Sequence, residues 1–419
     1  MFKRMFQITM LALMVALASC ASTTEPMPTL EKKADELALA PFAAVQFPQG
    51  FGIHGIDASR ELWFAAVALP PGVHVARRLT GEVLGELPPP PEGFGAPVAV
   101  RVAPGGRVVV LDGVVAPQAA GSAPAKMYEY EVTATWHSFT ATLVATHTLP
   151  LIALPDIFVA IGPEPRPAVN SGIFFPIMMT ILPNGAAVLT DTVTGSAWVS
   201  DPTRSTYRNA FQDPRLRPVP HAPIVGKGRA PGGGTRDYTF DVTTPPGVFP
   251  GAFGVAYLAA TDEVVFANPS QGGLWALPYA TFMSTADPTT KSASLRPLVA
   301  APQLGVTDLV AGLDTNRWDS SDPWVYFQRV AADEASGFKN VMARVHGVTG
   351  AVQVLARSTT VFDFDVAISV VEPLLPIDHI ATVGSGVGQE ENNPTVNALL
   401  GGVGTFVAPT PIAAVITTY

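Results

Sequence analysis

From about Phe51 onward one module recurs along the chain: an apolar strand, a turn holding Gly or Asp, a second apolar strand closing on Asp or Asn, then a third strand. Such repetition constrains the fold more than any single residue, because repeated strand units bury their apolar faces on one another. The clear copies are Gly55–Val67, Pro97–Asp112, Phe175–Asp191 and Phe253–Asn268, with fainter ones beginning near Val306 and near Phe362. In the third copy Asn184–Gly185 is a strong hairpin turn signal, since both central positions of such a turn favour positive φ.

About six copies at a spacing of roughly 40 to 70 residues suit a β-propeller, whose four-stranded blades repeat radially and leave only short edges. The runs are almost continuously apolar, as expected for inner strands covered on both faces. The 37 Gly and 41 Pro, spread through a chain with 48% hydrophobic residues, point to many short strands and turns in place of helices or disorder. The expected fold is all-β, a six-bladed propeller over residues 46–419. A β-sandwich array or separate barrels stay open as alternatives, though neither accounts for the repeated strand-turn-strand-Asp unit.

The order and content of these copies resemble the major royal jelly/yellow protein family, particularly its bacterial members. Val108–Gly113 is similar to the family's strand ending Leu-Asp-Thr-Gly, and Ala186–Thr192 followed by Ala197–Arg204 resembles its next blade. The nearest stretch runs from Asp213–Pro218 through Ala222–Arg229 to Gly254–Tyr257 and Leu274–Pro278. The resemblance spans roughly residues 50–380 and implies a six-bladed propeller. Departures accompany it. Phe175–Pro176 stands where family members often place Asn-Asp, and Phe253–Gly254 where they often place Asp-Gly. The polar lining that the family would bring to the channel is thus partly replaced by apolar groups.

On the propeller model, loops entering inner strands and leaving second strands meet on one face around the channel. That set comprises His54, Asp112, Asp191, Asn268, Asp308 and Asp363. Carboxylates and carbonyls suit Ca²⁺, with Asp112, Asp191, Asp308 and Asp363 as metal ligands. The competing reading makes Asp112, Asp191 and Asn268 caps of tight turns, because Asx side chains bond nearby backbone amides. Phe175 and Phe253 would form an apolar channel mouth able to take a flat or hydrophobic small molecule beside His54 and Asn268. Trp63, Trp198, Trp275 and Trp324 fall in or beside strands and read as core.

The N-terminus carries an address. Lys3 and Arg4 precede an apolar stretch from Phe6 to Leu17, too short for the ~20 residues that span a bilayer, and Leu17–Cys20 closes it with small residues and the chain's single cysteine. This reads as a bacterial lipoprotein signal over residues 1–19. Cys20 would carry the acyl chains, and two or more chains hold stably where one binds only marginally. An ordinary signal peptide with a chance cysteine is the alternative. Residues 20–45 read as a tether, with a short charged segment at Leu30–Leu37 able to form a turn or two of helix. Ala21 in place of Asp favours the outer membrane.

Loss of Lys3 and Arg4 leaves 23 basic against 34 acidic side chains, a net charge of −11. With no basic run beyond pairs such as Arg77–Arg78, nucleic acid is excluded as a partner. A lone cysteine cannot form an intrachain disulfide, so stability must come from the core. The chain holds no Gly-x-Ser-x-Gly elbow and no His-Glu-x-x-His zinc motif. Gly232–Gly234 neither follows a strand nor opens a helix and reads as a loop. The expectation is a membrane-tethered propeller that binds a small molecule or an envelope partner without catalysis. Two other readings accompany it: a calcium-dependent lactonase-type hydrolase, whose Asp and Asn ring polarises a carbonyl and orients water, and a structural scaffold.

Overall fold

The computed structural model describes residues 30–31, 40–69, 71–78, 80–113, 125–135, 137–150, 173, 176–191, 194–217, 224–229, 235–240, 251–268, 273–299, 309–333, 337–361, 368–371, 380–386 and 410–418. In chain order its strands begin with β1 (Leu30–Glu31), β2 (Ala40–Ala58), β3 (Leu62–Leu69), β4 (Gly72–Arg77) and β5 (Val83–Glu86). Next come β6 (Pro97–Val102), β7 (Val108–Asp112), β8 (Lys126–Ala134) and β9 (Phe139–Thr148), then β10 (Pro176–Ile181), β11 (Ala187–Asp191), β12 (Ser196–Ser200) and β13 (Tyr207–Gln212). A hairpin, β14 (Ile224–Arg229) and β15 (Thr235–Phe240), precedes β16 (Gly254–Leu258), β17 (Glu263–Asn268), β18 (Gly273–Pro278) and β19 (Arg296–Val299). A short helix α1 (Tyr279–Met283) lies between β18 and β19. The chain continues with β20 (Leu309–Thr315), β21 (Trp324–Asp333), β22 (Gly337–His346) and β23 (Val352–Val361), and then β24 (Ile368–Val371), β25 (Ile380–Gly386) and β26 (Thr410–Thr418).

These strands form an all-β propeller. Three of its sheets are four-stranded meanders: β6 to β9, β10 to β13 and β16 to β19. Another runs β20 to β23 and gains β1 at its outer edge, where Leu30 and Glu31 face Ser358 and Arg357. The remaining one has seven strands, because β2 is long enough to serve twice. Its first part, Ala40 to Gly50, pairs with β26, and its second part, Phe51 to Ala58, pairs with β3. By continuous hydrogen bonding there are therefore five blade sheets, not the six separate ones expected. The seven-stranded sheet holds two four-strand sets, β24-β25-β26 with the start of β2, and the end of β2 with β3-β4-β5. β2 also takes in residues 40–45 of the expected tether.

The innermost strands contact one another in a closed circuit of six, β2 to β6 to β10 to β16 to β20 to β24 and back to β2. Each copy of the sequence module supplies one of these strands or, in the first copy, its last four residues. In the β10–β11 hairpin the expected turn differs in detail, with positive φ at Gly185 and not at Asn184. Gly185 has φ +88°, and Asn184 Oδ1 accepts from Ala186 N at 3.0 Å, an Asx device that favours the turn.

Hydrophobic burial sits between neighbouring sheets, counted in chain order as first (the end of β2 with β3 to β5), second (β6 to β9), third (β10 to β13), fourth (β16 to β19) and fifth (β20 to β23). Phe64, Val75 and Tyr130 pack between the first and second strand sets, while Leu111, Met127, Leu189 and Trp198 pack between the second and third. Phe211, Phe253, Phe266 and Phe282 join the third to the fourth, with Phe211 and Phe266 stacked at 5.6 Å. Leu274, Leu313 and Phe327 join the fourth to the fifth. Trp63, Trp198 and Trp275 are buried as expected, and Trp324, only partly buried, receives the Arg344 guanidinium 4.2 Å from its ring centroid.

Candidate functional site

A belt of polar side chains runs around the channel within otherwise apolar strands. Five of the six inner strands carry one at the same place, the last residue but one: Asp57, Arg101, Thr180, Tyr257 and Asp314. Asp57 Oδ2 accepts from Val102 N on β6 at 2.7 Å. Arg101 donates to Ile56 O on β2 and to Met179 O on β10, both at 3.0 Å. Thr190 Oγ1 on β11 donates to Phe253 O at 3.2 Å, and Thr315 Oγ1 to Tyr257 O at 2.7 Å. Val370 N donates to Asp314 Oδ2 at 2.8 Å, and Ser369 Oγ to Asp57 Oδ1 at 3.0 Å. Every junction of the ring thus has a polar tie, the one between β10 and β16 made from β11, and partnered buried polar groups of this kind fix one geometry.

Above this belt, on the face where the inner strands end, lies a cavity of about 760 Å³. Its polar part is formed by Ser59, Thr180, Tyr257, Asp314, Arg317 and Trp318, and its apolar part by Leu62, Phe64, Val102, Val108, Val132 and Ala134. Arg317 donates through Nη2 to both carboxylate oxygens of Asp57, at 2.7 and 2.8 Å, so the belt and the cavity wall are joined. Tyr257 Oη donates to Asp262 Oδ1 at 2.8 Å. Burial, together with that bond to Asp262, pushes the phenol up to about 12, which keeps it neutral.

The rim is a built turn. Asn316 Oδ1 accepts from the backbone of Trp318 at 3.1 Å and of Asp319 at 3.2 Å, while its Nδ2 donates to Asp322 Oδ2 at 3.2 Å. Asp322 Oδ1 in turn accepts from Trp324 N at 2.9 Å. This scaffold holds Trp318 outward, 42% exposed, with the Arg317 guanidinium 4.9 Å from its ring centroid.

The residues singled out from the sequence lie toward the other end of the channel. Asp112 closes β7, and its carboxylate accepts from Gly95 N at 2.9 Å and from Ala96 N; burial raises its pKa against the pull of those amides. Asp191 closes β11 fully buried, and its Oδ1 accepts from Thr194 N at 3.0 Å. Asn268 donates to Arg215 O at 2.7 Å and Arg217 O at 3.0 Å, clamping the connector after β13. Phe253 is 4% exposed and packed in the core between the third and fourth sheets. His54 lies in β2, its side chain outside the described residues, and Cys20, Phe175, Asp308 and Asp363 also fall outside them. Among the described residues no three His, Cys, Asp or Glu side chains gather as a metal requires, and no helix is long and apolar enough to cross a membrane.

The cavity had a signal in the sequence. One polar residue interrupts five of the six apolar runs at a fixed place, as in Ile56-Asp57-Ala58, Val100-Arg101-Val102 and Leu313-Asp314-Thr315. Attention to residues that end second strands passes over it. Trp318 lacked any flanking apolar pattern and went unremarked beside the strand tryptophans.

No protein-family model matches the chain, and no curated protein matches it. Solved structures do resemble it. The Mala s 1 allergen of Malassezia sympodialis is 9% identical, with 89% of this chain and 95% of that chain covered at a TM-score of 0.50. Virginiamycin B lyase from Staphylococcus aureus is 10% identical over 90% of this chain and 99% of that one, at a TM-score of 0.41. A protein of unknown function from Bacteroides thetaiotaomicron is 10% identical over 91% and 73%, at 0.46. At these identities the likeness concerns the fold alone.

Proposed function

We propose that this chain is a non-catalytic binding propeller, held at a bacterial membrane by acyl chains on Cys20, whose ligand is a small molecule seated in the cavity over the inner-strand ring. The observation that carries this reading is the cavity itself. At about 760 Å³ it falls within the range of roughly 300–1,000 Å³ typical of small-molecule sites, with the usual apolar wall and few converging polar groups. The motif resemblance to the major royal jelly/yellow proteins belongs to the same proposal, supported by Val108–Gly113 and the stretch from Asp213 to Pro278. The location, an outer membrane, rests on Ala21 after the cysteine.

A thermal-shift panel of small molecules of mixed charge tests the binding role, since a ligand that binds only the native state raises the melting temperature by mass action. Some members should raise it in the wild type and not in Ala134→Trp, where an indole fills the apolar wall. Silence across the panel, or shifts that survive the filled cavity, would remove this reading. A rise with millimolar Ca²⁺ alone would favour the hydrolase instead.

A further inference from the structure

We propose that the cavity selects an uncharged ligand with a flat apolar body, over an anion or a cation of similar size. The inference rests on the binding role and adds the chemical class. Its first support is the apolar wall. Leu62, Phe64, Val102 and Val108 belong to the core between the first and second strand sets, with Val132 and Ala134 packed against it. At the cavity edge the turn joining β6 to β7 holds Gly105 and Gly106 at φ +92° and +85°, the left-handed region that favours glycine.

The second support is charge. The ionisable groups around the cavity are Arg60, Arg317, Glu61 and Asp314, two cations and two anions, and Asp57 stands behind Arg317. An anion entering would meet Arg317 already bound to a carboxylate, with Asp314 and Glu61 nearby. A cation would meet Arg60 and Arg317. Neither finds the surplus opposite charge that must offset its lost hydration. Tyr257 is neutral and adds dipoles without charge.

The third support is Trp318, held out by the Asn316 turn though 42% exposed. A large aromatic ring at a cavity rim offers a flat face for stacking. The ligand therefore places its ring plane against Trp318, its apolar body along Val132 and Ala134, the wall residues that keep some surface open, and any hydroxyl or carbonyl near Ser59 and Thr180.

The test uses two fluorophores with one skeleton, N-phenyl-1-naphthylamine, which is neutral, and 8-anilino-1-naphthalenesulfonate, which adds a sulfonate. The neutral probe should bind saturably with enhanced, blue-shifted emission, and the anion at least about tenfold more weakly, equivalent to 1.4 kcal/mol. Trp318→Ala, a surface change, should weaken the neutral probe by about fivefold or more, the loss of one good aromatic contact of about 1 kcal/mol. Ala134→Trp should weaken it further, and if that variant fails to fold Trp318→Ala carries the test alone. Equal or tighter binding of the anion overturns the proposal, as does neutral-probe binding untouched by Trp318→Ala. If neither probe binds while members of the panel do, the ligand class is wrong and the binding role stands. If the panel is silent too, both fall.

Discussion

Asp57 is fully buried yet accepts from four donor groups: the amides of Ala58 and Val102, the Ser369 hydroxyl and the Arg317 guanidinium. A carboxylate can do this because it offers two oxygens and no proton. Asp57→Asn replaces one oxygen with a donor facing donors, and removes the negative charge from a guanidinium that is 25% exposed. Urea unfolding should report a loss of about 3 kcal/mol, below the upper end for buried pairs because Arg317 retains some solvent. The midpoint should fall with an unchanged slope, the sign of altered stability alone. A loss under about 1 kcal/mol would mean that the belt is not a structural tie. Asp57 was invisible to a reading that ranked polar residues by their position at strand ends. Its meaning lies in what the neighbouring strand does, and a pairing between strands 45 residues apart leaves no local pattern.

The strands themselves were legible. All six module copies overlap inner strands, though the first takes in only the end of β2, since continuous apolar runs and Asx-Gly turns are local consequences of burial and φ preference. The Asx residues closing β7, β11 and β17 are legible too, but only Asp191 bonds a backbone amide of its own turn, while Asp112 and Asn268 bond backbone groups 16 or more residues away. Links between sheets were not legible. Glu129 on β8 is 1% exposed and receives Arg204, from the turn between β12 and β13, at 2.7 and 2.8 Å, with the His147 ring 2.8 Å away. Burial pushes the Glu129 carboxyl up, but the hydrogen bonds and charges of Arg204 and His147 outweigh it and hold the pKa below the ordinary value of 4.5. A native pKa below the unfolded one gives stability that is fully present above the unfolded value and lost as pH falls through the depressed native value. Stability should therefore decline below about pH 4.5, and Glu129→Gln should flatten that decline while lowering stability at neutral pH. Parallel acid limbs in wild type and variant would contradict this link between the second and third sheets.

At the scale of the whole molecule, the proposed anchor and the fold are separable. Cys20 precedes the first strand, β1, by 10 residues, so Cys20→Ala should release the protein from the membrane fraction without altering its melting temperature. Continued membrane retention would refute the lipid anchor. The propeller class was readable because repetition is a property of the entire chain. The merging of two strand sets through β2 was not, since nothing in Ala40 to Ala58 marks a strand with two partners.

That shared strand has a consequence for the order of folding. β2 is synthesised early, but the partner of its first half is β26, with Ala40 opposite Thr418, so the ring cannot close until nearly the whole chain has been made. Contacts so distant in sequence form slowly. On the proposed export route, late closure would postpone the locked state until translocation is complete.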